Sequence, residues 1–243
     1  MNEGEVERIC KHALPRHQNW LWYFERPAAG RSGDYGFAYL WNSSRVSEWP
    51  KDKMPRILND YQSDIRLSRN PLYGRFAPVG IGANAEFRLI NIHLRWSDEV
   101  LPNRVLIIGR RKREIECRIV TGKIYRKVNS PRDGSNKPVF TMSLGDYNLD
   151  ADECIAFSGN PSVVTYQREP TTLNAGSDEA DPDGYASSYD HFSYDSAKND
   201  CVSDPARRVD AVKKYFRGDF KKYRETVSDH VPVVIEIYGR QKL

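Results

Sequence analysis

The chain is poor in cysteine and methionine, with 4 and 3 among 243 residues. Cys10, Cys117, Cys154 and Cys201 lie far apart, with no CxxC pair and no Cys/His spacing suited to a metal. A structural zinc module is thereby excluded, and unpaired thiols in a reducing compartment are the expectation. No apolar run reaches the roughly 20 residues that a helix needs to cross a bilayer. The opening MNEGEVERICKHALP is charged and lacks the apolar core of a secretory signal. A cytoplasmic protein is expected if Met1 is the native start; a start further upstream leaves a signal peptide open. Repeats and linkers are also missing, so residues 1–243 are read as one domain.

What is present can build a core. Hydrophobic residues make up 39% and aromatics 12% of the chain, which excludes a disordered polypeptide. The net charge of +4 is mildly basic, compatible with a polyanionic substrate without identifying one.

Val6, Ile9, Cys10 and Ala13 recur at helical spacing, predicting a helix over Glu3 to Ala13 that Pro15 ends. Trp20 to Glu25 and Gly33 to Trp41 read as the strands of a hairpin, with turn residues over 27–33. Residues 42–56 read as loop. Leu72 to Val79 and Glu86 to Leu94 are strand-like around a Gly-rich turn. Arg104 to Lys127 reads as helix, with Ile115, Ile119 and Ile124 on one face, broken at Pro131 to Gly134. The apolar run from Pro138 to Asp146 has the pattern of a strand buried on both faces. The polar stretch from Asn174 to Tyr185 reads as a surface loop, Val209 to Val227 as a basic amphipathic helix, and Val231 to Tyr238 as a last strand. Irregularly mixed strands and helices imply an α+β domain of packed sheets.

A lone histidine such as His93 is more often a hydrogen-bonded core residue than a catalyst. The constellation carries more weight. Four strand-like segments end or begin with proton-transferring or metal-capable groups: Asn91-Ile92-His93, Gly145-Asp146-Tyr147-Asn148, Tyr189-Asp190-His191 and Ser228-Asp229-His230.

In this order, NIHL, MSLGDYNLD, SSYDHF and SDHVPV resemble the motifs of the endonuclease/exonuclease/phosphatase superfamily, and SRNPLYGRF is similar to its S-R-x-P strand. The resemblance runs from about Tyr23 to the C-terminus. It implies a four-layer α/β/β/α sandwich of two mixed sheets flanked by helices, and metal-dependent phosphodiester hydrolysis. Asp229 would bind metal, and Asp146 would bind metal or orient the attacking water. Asn148 would donate to a phosphoryl oxygen without repelling it. His93 and His230 would transfer protons, with Asp190 paired to His230. Hard oxygen ligands suit Mg²⁺, with Mn²⁺ or Ca²⁺ as relatives. The Tyr189-Asp190 segment and the Ser68-Arg69 strand are closest to deoxyribonuclease-I-like enzymes, implying a DNA endonuclease. Arg69, Asn70, Tyr73 and Tyr189 are candidate substrate contacts. No obligate protein partner is implied.

Two departures qualify the resemblance. Position 70 is Asn where the related strand carries a Glu that orients the first histidine; Asn70 could accept a hydrogen bond from His93 but adds no charge. The family's opening strands, one carrying an Asn and one ending in a metal-binding Glu, are missing from the sequence. Glu3 or Glu5 is the substitute considered, beside the plainer reading of both as acids favoured at a helix start. Two basic groups, Arg110 to Arg113 and Lys213 to Arg224, read either as contacts to a nucleic-acid backbone or as solvated helix faces. The alternatives to a DNA endonuclease are a phosphatase or phospholipid or inositol-phosphate phosphodiesterase of the same fold, and a non-catalytic binding module.

Overall fold

A computed structural model describes residues 2–15, 18–26, 36–48, 55–61, 65–80, 85–96, 99–100, 106–107, 109–130, 139–174, 184–198 and 202–237. The first element is α1 (Glu3–Arg8), where Asn2 and Glu5 form a reciprocal cap and the chain runs on as a π-helical turn, Ile9–Ala13. Strands β1 (Trp20–Glu25) and β2 (Phe37–Asn42) pair antiparallel. Short strands β3 (Val46–Glu48), inside the stretch expected to be loop, and β4 (Arg56–Ile57), beginning at its last residue, follow, and both pair with β5 (Leu72–Pro78). Next come β6 (Glu86–His93), β7 (Glu99–Val100) and β8 (Leu106–Ile107). The long helix begins at Gly109 as α2 (Gly109–Arg118), passes through π-helical Ile119–Ile124 and ends as α3 (Tyr125–Val128). Then follow β9 (Val139–Asp146), α4 (Ala151–Ala156), β10 (Val163–Tyr166), β11 (Asp190–Asp195) and β12 (Val202–Arg208). Two short helices, α5 (Ala211–Phe216) and α6 (Phe220–Thr226), replace the single helix expected there. Arg217 and Gly218 break it with φ of 56° and 85°. Strand β13 (Val233–Ile237) closes the chain's described part.

Seven strands form one sheet in the order β10-β11-β9-β6-β5-β3, with β4 also on β5. The β6–β9 pair is parallel and the others are antiparallel, so the sheet is mixed. Strand alternation gives it two apolar faces. Tyr73, Ile90 and Ile92 pack with Ile119, Val120, Ile124 and Tyr125 of the long helix. On the opposite face Leu72 and Phe76 pack with Phe37 and Tyr39 of β2, while Phe140, Met142, Phe192 and Tyr194 pack with Val233, Ile235 and Ile237 of β13. Burying a side chain of this size stabilises the fold by about 1.5–3 kcal/mol.

The class is α+β, with mixed sheets flanked by helices. Detail differs in the second sheet layer. Among the described residues it consists of two separate two-stranded ladders, β1–β2 and β12–β13, and Phe87 and Leu89 of β6 touch the clusters under both. The expected turn at 27–33, the break at 131–134, most of the loop at 174–185 and Cys201 lie outside the described residues. Cys10, Cys117 and Cys154 are free thiols. Among the described residues no helix is long and apolar enough to cross a membrane.

Candidate active site

Three neighbouring strands bring three side chains to one end of the sheet. In the parallel β6–β9 register His93 faces Asp146, and in the antiparallel β9–β11 register Asp146 faces Asp190. A residue-level slip would turn these side chains to the other face, so the packed alternation behind them also fixes the site. Gly145, one residue before Asp146, has φ of 128°, and a Cβ there would sit 2.1 Å from the Ile92 carbonyl oxygen. Only glycine allows β9 this close approach to β6.

Beyond β9 the chain turns at Asn148, held at φ of 49°. Its backbone amide donates to Asp146 Oδ1 at 2.8 Å, and its side-chain amide donates to Asp146 Oδ2 at 3.1 Å and to the Leu94 carbonyl at 2.7 Å. Both Asp146 oxygens are therefore aimed. Buried His191 braces the same turn, with Nε2 2.8 Å from the Leu149 carbonyl and Nδ1 2.9 Å from that of Gln167.

Asp146 Oδ2 lies 3.5 Å from His93 Nε2, and Asp190 Oδ2 lies 2.7 Å from His230 Nδ1. His230 sits just before β13, where an isolated bridge to Thr172 holds its backbone. Burial, the Arg69 guanidinium and His230 push the His93 imidazole down to about 4. Burial alone would also push His230 down, but the hydrogen-bonded Asp190 carboxylate, aided by Asp146 and Asp229, lifts it to about 9. Burial and the charge of Asp190 raise the Asp146 carboxyl to about 7. The two histidines are thus driven apart, one neutral and one cationic near pH 7. Arg69 adds a guanidinium whose buried Nη1 has no protein partner among the described residues.

No protein-family model and no curated protein sequence matches the chain. Solved structures do. An endonuclease/exonuclease/phosphatase family protein from Bacteroides thetaiotaomicron is 17% identical, covering 98% of this chain and 81% of its own, with a TM-score of 0.55. A mannosyl-6-phosphatase from the same organism is 16% identical, covering 96% and 82%, with a TM-score of 0.52. The catalytic domain of human Nocturnin is 13% identical, covering 89% and 70%, with a TM-score of 0.50. This chain has the endonuclease/exonuclease/phosphatase fold.

On the endonuclease/exonuclease/phosphatase fold the motif residues converge: His93, Asp146, Asn148, Asp190 and His230 are linked by the contacts above. Asp229 lies close enough to both histidines to pull their pKa values upward. Other expected residues fall elsewhere. Tyr73 is 3% exposed in the core under the long helix, which leaves its ring no face for a substrate. Asn70 does not reach His93 through a hydrogen bond; its amide donates to Asn59 Oδ1 and its oxygen accepts from the Tyr61 hydroxyl. Glu3 occupies the exposed first turn of α1. It does not join Asp146 and Asp229: among the described residues no three His, Cys, Asp or Glu groups are disposed to hold a metal ion.

The basic run on α2 is not a continuous anion-binding stripe. Lys112 is buried against Glu116 and the Arg66 carbonyl, Arg113 is buried, and Arg110 and Arg111 pair with Glu114. Lys213, Lys214, Arg217, Lys221 and Lys222 on α5 and α6 are exposed. Two surface hollows, one at Ile65, Ile115 and Lys123 and one at Asp60, Tyr61 and Lys127, lie on the helical layer and include no motif residue. The motif residues lie instead at the strand ends. Trp96 packs between Tyr189 and the buried Arg113, and no periodicity or motif marked Trp96 in advance.

Proposed function

We propose that the protein is a phosphodiester hydrolase acting on DNA. The carrying observation is the row His93–Asp146–Asp190 across three adjacent strands, with His230 clasped to Asp190. Phosphoryl transfer asks chiefly for positioning and for charge placed where the transition state needs it. His230, cationic at neutral pH, donates to the phosphoryl or leaving oxygen. His93, neutral and within reach of Asp146, accepts a proton from the attacking water, and Asp146 orients that water. Arg69 neutralises a phosphate oxygen. Asn148 holds Asp146, and to donate to phosphate its amide would have to leave Asp146 or Leu94.

Asp146 and Asp229 supply the hard oxygens that Mg²⁺ prefers. That ion is commonly held by one or two carboxylates with waters and substrate phosphates completing its shell, so a pair of carboxylates suits it although no protein cage of three is present among the described residues. When bound it would supply Lewis-acid stabilisation of the phosphoryl charge.

The test is cleavage of plasmid DNA and of a single-stranded deoxyoligonucleotide with Mg²⁺ by the wild-type protein and by His93→Ala and His230→Ala. Each substitution should lower the rate by about 10²–10⁴-fold, the usual contribution of a positioned acid or base. A rate retained in either variant overturns the role given to that residue. Asn70, which stands where the related strand carries a Glu, favours a second reading, a non-catalytic binding module. Calorimetry showing no Mg²⁺ uptake, together with no hydrolysis, would support it.

A further inference from the structure

Trp96 lies three residues beyond His93, and its side chain is conspicuously open: the residue is 58% exposed. It is not a loose surface residue. The buried Arg113 stacks its guanidinium 4.1 Å from the indole centroid and donates through Nη1 to the Trp96 carbonyl at 2.9 Å. Tyr189, the neighbour of Asp190, places its ring 6.0 Å from the indole at 42°. The Tyr189 carbonyl accepts from the Tyr147 amide, which ties this ring to the turn after Asp146. One indole face is therefore backed by a fixed cation, and the exposed ring adjoins Tyr189, the chain neighbour of Asp190.

We propose that Trp96 and Tyr189, held by Arg113, form a platform on which an unpaired nucleobase stacks next to the phosphodiester being cleaved. The proposal rests on the phosphodiesterase reading above and narrows its substrate to a single-stranded or frayed nucleic acid. A base inside an intact duplex has both faces covered by its neighbours, so only an unstacked base can use an exposed indole. The cation behind the indole also bears on ligand class. It draws π density toward itself, which weakens the electron-rich face that sugar C–H groups seek. A nucleobase brings its own π face and an attached anionic backbone, and both gain from the guanidinium. A sugar phosphate is the disfavoured occupant.

The experiment compares two strands of equal length, a single-stranded deoxyoligonucleotide and one whose sugars carry no bases. Trp96→Ala should raise KM for the base-bearing strand about tenfold, the scale of one lost stacking contact, with kcat little changed. KM for the baseless strand should stay as in wild type, and Trp96→Phe should recover most of the lost affinity. Indole fluorescence supplies a readout independent of turnover: the base-bearing strand should quench the wild-type protein, and that quenching should shrink in Trp96→Phe. Equal losses on both strands would make Trp96 a packing residue and overturn the platform. So would Trp96-dependent binding of mannose 6-phosphate without binding of either strand. If wild-type protein cleaves neither strand yet shows base-dependent quenching through Trp96, the platform stands and the hydrolase reading fails.

Discussion

Replacing Asp190 with Asn should remove the charge on His230 at neutral pH. Nδ1 of His230 is 2.7 Å from Asp190 Oδ2, with side-chain exposures of 27% and 18%, so solvent screens the pair incompletely. The lift of His230 from 6.5 to about 9 corresponds to about 3 kcal/mol of preference for the charged ring. An Asn amide keeps the shape and loses the charge, while the burial that opposes protonation stays. The ring should then titrate near or below 6.5, with Asp146 and Asp229 keeping a smaller upward pull. Stability carries the same sign. A raised histidine pKa contributes fully below the unfolded value of 6.5, and the contribution is lost as pH rises through about 9. Unfolding in urea should therefore show Asp190→Asn about 2–3 kcal/mol less stable than wild type near pH 6, with the gap closing toward pH 10. NMR titration of the imidazole in metal-free protein gives the midpoint directly. A wild-type midpoint at or below 6.5, or a stability gap that stays flat across this range, would refute the electrostatic account of the pair.

Gly145→Ala should destabilise the protein by about 3 kcal/mol or more in chemical denaturation, since it combines a positive φ with a backbone collision. Ile90→Ala, at a fully buried position in the central strand, should cost about 2–5 kcal/mol by the same measurement. Asn148→Ala should leave the far-ultraviolet circular dichroism spectrum unchanged while slowing plasmid nicking at least about tenfold, because Asp146 loses a side-chain donor. A rate within twofold of wild type would show that the backbone amide alone fixes that carboxylate.

The sequence was most legible where apolar spacing was long and regular. α1, β5, β6, β9 and β13 all lie where periodicity or an apolar run put them, and His93, Asp146 and His230 follow because they lie at or beside the ends of β6, β9 and β13. Short elements left no period to read. β3 and β4 have three and two residues and gain their pairing from β5, not from their own composition. β12 reads VSDPARR and pairs with β13 through shifts in register, so it shows no alternation. α4 escaped notice although Asp150 and Glu153 spell its capping box. The Val209–Val227 stretch does carry one helical stripe, but Gly218 followed by Asp219 marks a stop and a new cap, and Asp219 accepts from the Lys222 amide. Tyr73 shows the limit for side chains. An aromatic next to a site motif looks the same in sequence whether the strand turns it outward or, as at this position, into the core.

The same limit explains why charge was harder to read than placement. Arg110 to Arg113 form one basic run in the sequence, yet one helical turn points them in different directions. Lys112 and Arg113 face inward, where Glu116 and Trp96 meet them, while Arg110 and Arg111 meet Glu114 near solvent. Positive charge at the motif residues comes instead from residues without any run: Arg69 ahead of β5, and His230, lifted chiefly by Asp190 and further by Asp146 and Asp229. His93 differs from His230 in lacking such a partner. Its nearest carboxyl is Asp146, 3.5 Å away and itself raised to about 7, while Arg69 repels a proton from the ring. Two histidines with the same intrinsic chemistry thus take opposite protonation states from one row of carboxylates. The division between the neutral and the cationic ring follows from the strand register that spaces that row, which is why a shift at Gly145 should reach the electrostatics of the site as well as the fold.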